Sequence, residues 1–149
     1  MSKDVSAVAV KLLSIRAYSQ HELQQKLLQQ GYDASAIQHA IEYVTERGYL
    51  NDAALCDMLL CNYAETKKYS LRETYIRLRR KGLSAALVAD KLAGYDGTHE
   101  YQAAIKLAKK YWNSEESQIL PKIARRLAAK GFKASTVNKV LEQLRDMLP

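Results

Sequence analysis

The amino-acid sequence predicts an all-α fold, built from three tandem three-helix repeats that form an elongated, curved helical array. Three observations predict it. Good helix formers (Leu, Ala, Lys, Arg, Gln and Glu) are abundant among the 149 residues, whereas glycine and proline number only 6 and 2. No stretch alternates apolar and polar residues for the length of a strand, and no Asn-Gly or Asp-Gly turn lies between two apolar runs. A helix–glycine–helix pattern recurs around Gly31, Gly82 and Gly131, which are 51 and 49 residues apart.

Aligned on those glycines, the three copies share their spelling. Twelve residues earlier stand Ser19, Ser70 and Ile119. Basic residues match at Lys26, Arg77 and Arg126, and leucines at Leu27, Leu78 and Leu127. A bulky apolar residue follows each glycine (Tyr32, Leu83, Phe132), and Ile37, Val88 and Val137 match beyond it, then Ile41, Leu92 and Leu141. A repeat of about fifty residues has a small core of its own, so neighbouring repeats are expected to stack. The expected spans are residues 1–48, 49–95 and 96–149.

Within the first repeat, a helix over residues 5–17 carries Val8, Leu12 and Ile15 at helical spacing. Ser19 and Glu22 spell a capping box for a second helix, with Leu23 and Leu27 inward and Leu28 on its flank. Asp33 or Ser35 caps the third, which ends at Gly48, and Tyr49-Leu50 follows as an apolar anchor. The second repeat opens at Asn51-Asp52 with a helix whose inward residues are expected to be Leu55, Met58, Leu59 and Tyr63. A short helix capped by Ser84 closes that repeat, and residues 94–97 break the chain as a joint. Thr98 is expected to cap the next helix, with Tyr101, Ile105, Ala108 and Trp112 on one face. Pro121 sits in the first turn of the helix after that, where a missing amide costs least, and Ser135 is expected to cap the last.

The middle repeat is organised around residues 70–83. Ser70 can cap this helix with Glu73 as capping-box partner, and Gly82 can take the left-handed conformation that ends it. Leu71, Tyr75 and Leu78 make one narrow apolar stripe, and Arg72, Arg77, Arg79, Arg80 and Lys81 cover most of the remainder. Ile76, among the arginines, is expected to pack on a neighbouring repeat.

Charge follows the same division. Residues 1–66 carry 5 basic and 8 acidic side chains, and residues 67–149 carry 18 and 8, giving the net +7 of the chain. In the third repeat Lys122, Arg125, Arg126, Lys130 and Lys133 form a second basic region. Concentrating charge on particular helices points to an anionic partner, nucleic acid or an acidic protein surface. In a helix-turn-helix reader, the second helix would present Arg, Lys, Asn or Gln to base edges. Here that helix, residues 85–93, offers only Asp90 and Lys91. The distribution therefore suits backbone phosphates or an acidic protein rather than base readout.

Catalytic chemistry is not spelled. His21, His39 and His99 stand apart from one another and from the cysteines, and no phosphate-loop, dinucleotide or HExxH motif occurs. No enzyme activity, metal or cofactor is expected. Cys56 and Cys61, five apart on a helix, point to different faces and read as reduced thiols of a cytoplasmic protein. No signal-peptide core and no long apolar run is present, so no membrane association is expected.

Three further stretches, Ser19-Gln-His-Glu-Leu-Gln-Gln-Lys-Leu27, Gly48-Tyr-Leu-Asn-Asp52, and Lys68-Tyr69-Ser70 leading to Arg79-Arg-Lys-Gly-Leu83, resemble the RecX family of bacterial regulators of the RecA recombinase. The third repeat joins the resemblance through Lys110-Tyr111 and Lys130-Gly-Phe132. The family pattern has an aromatic where Leu55 stands and a glycine where Ser70 stands. The resemblance implies a protein of three three-helix repeats that binds the RecA–DNA filament in its groove and limits recombination, ATP hydrolysis and co-protease activity. The contact residues expected, taken from the basic helices themselves, are Arg72, Arg77, Arg79, Arg80, Lys81, Lys122, Arg125, Arg126 and Lys130. The protein is expected to act as a monomer on the filament and on single- or double-stranded DNA through phosphates. The alternative is a non-specific, basic DNA-binding repeat protein that affects recombination indirectly.

Overall fold

The computed structural model describes residues 4–95 and 97–148. Among them run nine α-helices and no strand: α1 (Val5–Ile15), α2 (Gln20–Gln29), α3 (Ala34–Glu46), α4 (Asp52–Thr66), α5 (Leu71–Arg80), α6 (Ala85–Ala93), α7 (Gly97–Tyr111), α8 (Ile119–Ala129) and α9 (Ala134–Arg145). Asp96, in the expected joint and at the expected start of the third repeat, lies outside the described residues. By contact the chain divides into two compact units. One comprises the described residues up to Leu59 with Leu78–Ala89, and the other Leu60–Arg77 with the described residues from Asp90 onward. Helices α4, α5 and α6 each give residues to both.

The first unit is built on α1, α2 and α3, which pack on one another. Val5, Ala9, Leu23, Leu27, Ile37, Ile41 and Val44 form its core, and Tyr18 and Leu50 close it. The second is built on α7, α8 and α9, around Ala104, Ala108, Ile123, Leu127, Phe132, Val140 and Leu144. The leucines matched by the repeat, Leu27, Leu78 and Leu127, are all fully buried. The matched glycines share one left-handed conformation, with φ of 91°, 88° and 90° at Gly31, Gly82 and Gly131.

Several helix starts stand where the side chains demand. Ser19 and Glu22 complete a reciprocal capping box, Asp33 accepts from Ala36 N, and Ser84 Oγ accepts from Leu87 N. Two expected caps are displaced. Helix α7 already includes Gly97, which puts Thr98 inside its first turn. Helix α9 begins directly after buried Phe132, so its cap position falls on Lys133, which has no acceptor atom, and Ser135 lies within the helix. Two expected core residues face out. At about 100° per residue, Leu55, Leu59, Tyr63, Cys56 and Leu60 fill one arc of α4 and Met58 falls outside it, beyond Leu55, 47% exposed. Ile15 is 72% exposed, because α1 ends there and Tyr18 closes that end of the core.

Each unit contains the same joint between successive repeats. In the first, Ser19 Oγ accepts from Glu22 N and donates to the carbonyl of Lys81, while Gln20 N donates to Asp52 Oδ1 at 2.9 Å. In the second, Ser70 Oγ accepts from Glu73 N and donates to the carbonyl of Lys130 at 2.9 Å, while Leu71 N donates to Glu100 Oε1 at 3.1 Å. A serine cap thus satisfies the last turn of the following repeat's middle helix, and a first-turn carboxylate from that repeat takes an orphan amide. In the third copy, buried Ile119 stands at the serine's place.

Glu100 is 2% exposed and also accepts from Thr136 Oγ1 at 2.8 Å. Truncating it leaves the Leu71 amide and the Thr136 hydroxyl unsatisfied. Glu100→Ala should lower the unfolding free energy by about 2–4 kcal/mol, and Thr136→Val by only about 1–2 kcal/mol. Urea titration followed by circular dichroism measures both; equal losses would show that Glu100 does not anchor α5.

Candidate functional site

The second unit carries a groove of about 760 Å³. Four stretches of chain wall it. The turn after α4 gives Lys67, Lys68, Tyr69 and Ser70; α5 gives Arg72, Glu73, Ile76 and Arg77; α7 gives Lys106, Leu107 and Lys110; the end of α8 gives Ala129, Lys130 and Gly131. Seven of these side chains are cationic and one is acidic.

Local structure explains how they converge. Lys67 ends α4 in the left-handed conformation, φ 52°, which turns the chain sharply toward α5. The cap at Ser70 then fixes where α5 starts, and Lys106 and Lys110 lie one helical turn apart on α7. Gly131 lets the Arg72 stem cross it: a Cβ there would lie 3.0 Å from Arg72 Cδ and 3.1 Å from Ser70 Oγ. Lys106 Nζ donates to the Thr66 carbonyl at 3.2 Å. Lys67, Lys68, Arg72, Lys110 and Lys130 have no carboxylate partner within ion-pair distance among the described residues.

Arg77 is held differently. Its guanidinium carbon lies 4.1 Å from the centre of the Tyr69 ring, and its Nε stands 3.2 Å from Glu73 Oε1. The Nε is buried and makes no well-directed hydrogen bond, so the Glu73 contact is an ion pair by proximity only. Tyr69 in turn meets Tyr63 edge to face at 5.6 Å. Burial pushes the Tyr63 phenol above its usual range; the Arg77 charge opposes that shift and Tyr69 adds to it.

Of the nine basic residues expected from the sequence, Arg72, Arg77 and Lys130 line this groove. Arg79, Arg80 and Lys81 belong to the other compact unit, where Arg79 Nη1 donates to the Leu83 carbonyl at 2.7 Å and so helps end α5. Lys122 is paired with Glu116 at 2.8 Å, Arg126 lies over the Tyr111 ring, and Arg125 is exposed; none of these three lines the groove. Ile76 is a groove wall rather than a covered core residue. Among the described residues no cluster of His, Cys, Asp or Glu could hold a metal ion, and no helix is long and apolar enough to cross a membrane.

Residues 7–43 match the family profile described as RecX, first three-helix domain. The regulatory protein RecX of Deinococcus radiodurans is 31% identical over 147 residues, covering 96% of this chain and 69% of that protein. The chain belongs to the RecX family. A second RecX-family relative, from Chlorobium limicola, is 27% identical over 142 residues, covering 95% of this chain and 89% of its own. The crystal structure of RecX from Lactobacillus salivarius has the same fold, with a TM-score of 0.86 at 21% identity over 94% of both chains.

Four lysines of this RecX-family groove escaped the sequence argument. Lys67 and Lys68 precede the capped start of α5 rather than lying on a basic helix, and Lys106 and Lys110 sit on a helix whose repeat position carries no other basic match. A signal in the linear pattern was the Lys106–Lys110 spacing, which places two charges on the same helix face.

Proposed function

We propose that this RecX-family chain is a cytoplasmic, monomeric regulator of three three-helix repeats that binds the RecA recombinase–DNA filament. On this reading it restrains strand exchange, ATP hydrolysis and co-protease activity in DNA repair and the SOS response. The observation that carries the reading is the convergence of seven cations from four stretches of the chain on one groove. Such a groove suits a regularly spaced anionic surface, and phosphate contacts position a protein without reading sequence. Helix α6, with only Asp90 and Lys91 to offer, supplies nothing for base edges. Arg79, Arg80, Lys81, Lys122, Arg125 and Arg126 are assigned to outlying contacts, and Arg72, Arg77 and Lys130 to the centre.

Co-sedimentation with naked single-stranded DNA and with recombinase-coated strands, at two salt concentrations, tests this. Retention on the coated strand at a salt concentration that releases the protein from naked DNA is the expected outcome, together with inhibition of the recombinase ATPase. Equal and steeply salt-dependent binding to both would favour a non-specific DNA-binding protein, a reading that the same groove chemistry supports. Affinity for neither would leave an adaptor for some other acidic protein and sink both.

A further inference from the structure

We infer that the groove of the second unit is also a receptor for a short free phosphate chain, as carried by a nucleoside triphosphate, and that such a ligand competes there with the larger partner. The inference rests on the reading of this groove as an anion site. Its volume, about 760 Å³, lies within the range of small-molecule sites, about 300–1,000 Å³. A cationic stripe for a polymer needs no concavity; here the charges come from stretches far apart in sequence and close on a common space.

The charge inside is uncompensated. Glu73 is engaged with Arg77, and among the described residues Lys67, Lys68, Arg72, Lys110 and Lys130 have no acidic partner within ion-pair distance. Like charges held together raise the free energy of the folded state, and a single multivalent anion relieves that where a monovalent one does not. The Leu71 and Glu73 amides in the first turn of α5 are occupied by Glu100 and Ser70, so the recognition falls mainly to side chains. Arg77 is the prepared one. Tyr69 lies against its face and Glu73 against its Nε, which leaves the two terminal nitrogens to grip a phosphate by a bidentate fork. Tyr69 is thereby a positioning residue. Ile76 and Leu107 supply an apolar wall on which the uncharged part of a nucleoside can rest.

The full chain, titrated calorimetrically at about 50 mM salt to limit screening, is measured against orthophosphate, tripolyphosphate and ATP. Tripolyphosphate and ATP should bind at least about tenfold more tightly than orthophosphate, because several charge-assisted contacts act at once. Lys110→Glu with Lys130→Glu should weaken tripolyphosphate by about tenfold or more while the thermal melt stays in place. Tyr69→Ala should weaken it several-fold and Tyr69→Phe should restore it, since the ring rather than the hydroxyl faces Arg77. Equal affinity for ATP and tripolyphosphate identifies the phosphate chain as the whole ligand; tighter ATP adds the apolar wall. Absence of tripolyphosphate binding, or binding indifferent to the lysine substitutions, overturns the inference. Filament binding is measured separately, so a chain that binds filaments but not triphosphate refutes only this inference. A chain that binds triphosphate but not filaments refutes only the proposed function.

Discussion

Gly82→Ala should lower the unfolding free energy by about 2–4 kcal/mol, whereas Gly31→Ala should cost only about 1 kcal/mol. The two glycines have nearly the same backbone, φ 88° and 91°, so left-handed strain is common to both. What differs is the space beside them. A Cβ at residue 82 would lie 2.5 Å from His21 Cβ and 2.9 Å from its ring, inside the first unit's joint. At residue 31 nothing lies within 4 Å. The Ser19 hydroxyl donates to the carbonyl just before Gly82, so separating the two also breaks that bond. In thermal unfolding the difference should appear as a melting temperature lower by roughly 5–15 °C for Gly82→Ala and by only a few degrees for Gly31→Ala. Equal shifts would mean that the joint contributes nothing beyond backbone strain.

Reversing Arg72 and Lys106 together to Glu should weaken binding to recombinase-coated DNA by about a hundredfold and flatten its salt dependence by about two units of slope. Both side chains are exposed, so helicity and melting temperature should hold. The comparison is Arg79→Glu with Arg80→Glu, an equal change of charge, both on α5. Arg79 already serves the Leu83 carbonyl, and neither residue lines the groove. That pair should lose about tenfold or less, the effect of outlying contacts and altered long-range attraction rather than of the groove. Larger losses from Arg79 and Arg80 than from Arg72 and Lys106 would move the contact surface out of the groove and back to the α5 arginines as a group.

The elements of this fold were legible because local rules decide them. Ser19 with Glu22, Asp33, Asn51 and Ser84 are caps that the sequence spells, and the matched leucines at 27, 78 and 127 are buried as the repeat requires. Where burial depended on a helix's rotation about its axis, the sequence was less informative. Helix α4 is apolar on more than one side, so Met58 could be placed inward by spacing and yet face solvent. Ser135 looked like a cap because its type is right, but buried Phe132 sets the start of α9 and Ser135 comes two positions too late.

The basic groove divides in the same way. By itself the sequence determined an all-α chain, the threefold glycine register, the family, and α5 as the most basic helix. Local propensity, periodicity and charge are properties of neighbouring residues, and they survive in a linear reading. Only the tertiary structure decided which cations stand together. Lys67 and Lys68 reach the site through a left-handed turn, Lys106 and Lys110 through the rotation of α7, and Lys130 through the joint at Ser70. These charges lie up to sixty-odd residues apart, and no short-range preference encodes their distance. It follows from how the second unit's helices pack, and that packing rests on the unit's apolar core and on the buried Ser70–Glu100–Thr136 contacts rather than on the charges themselves.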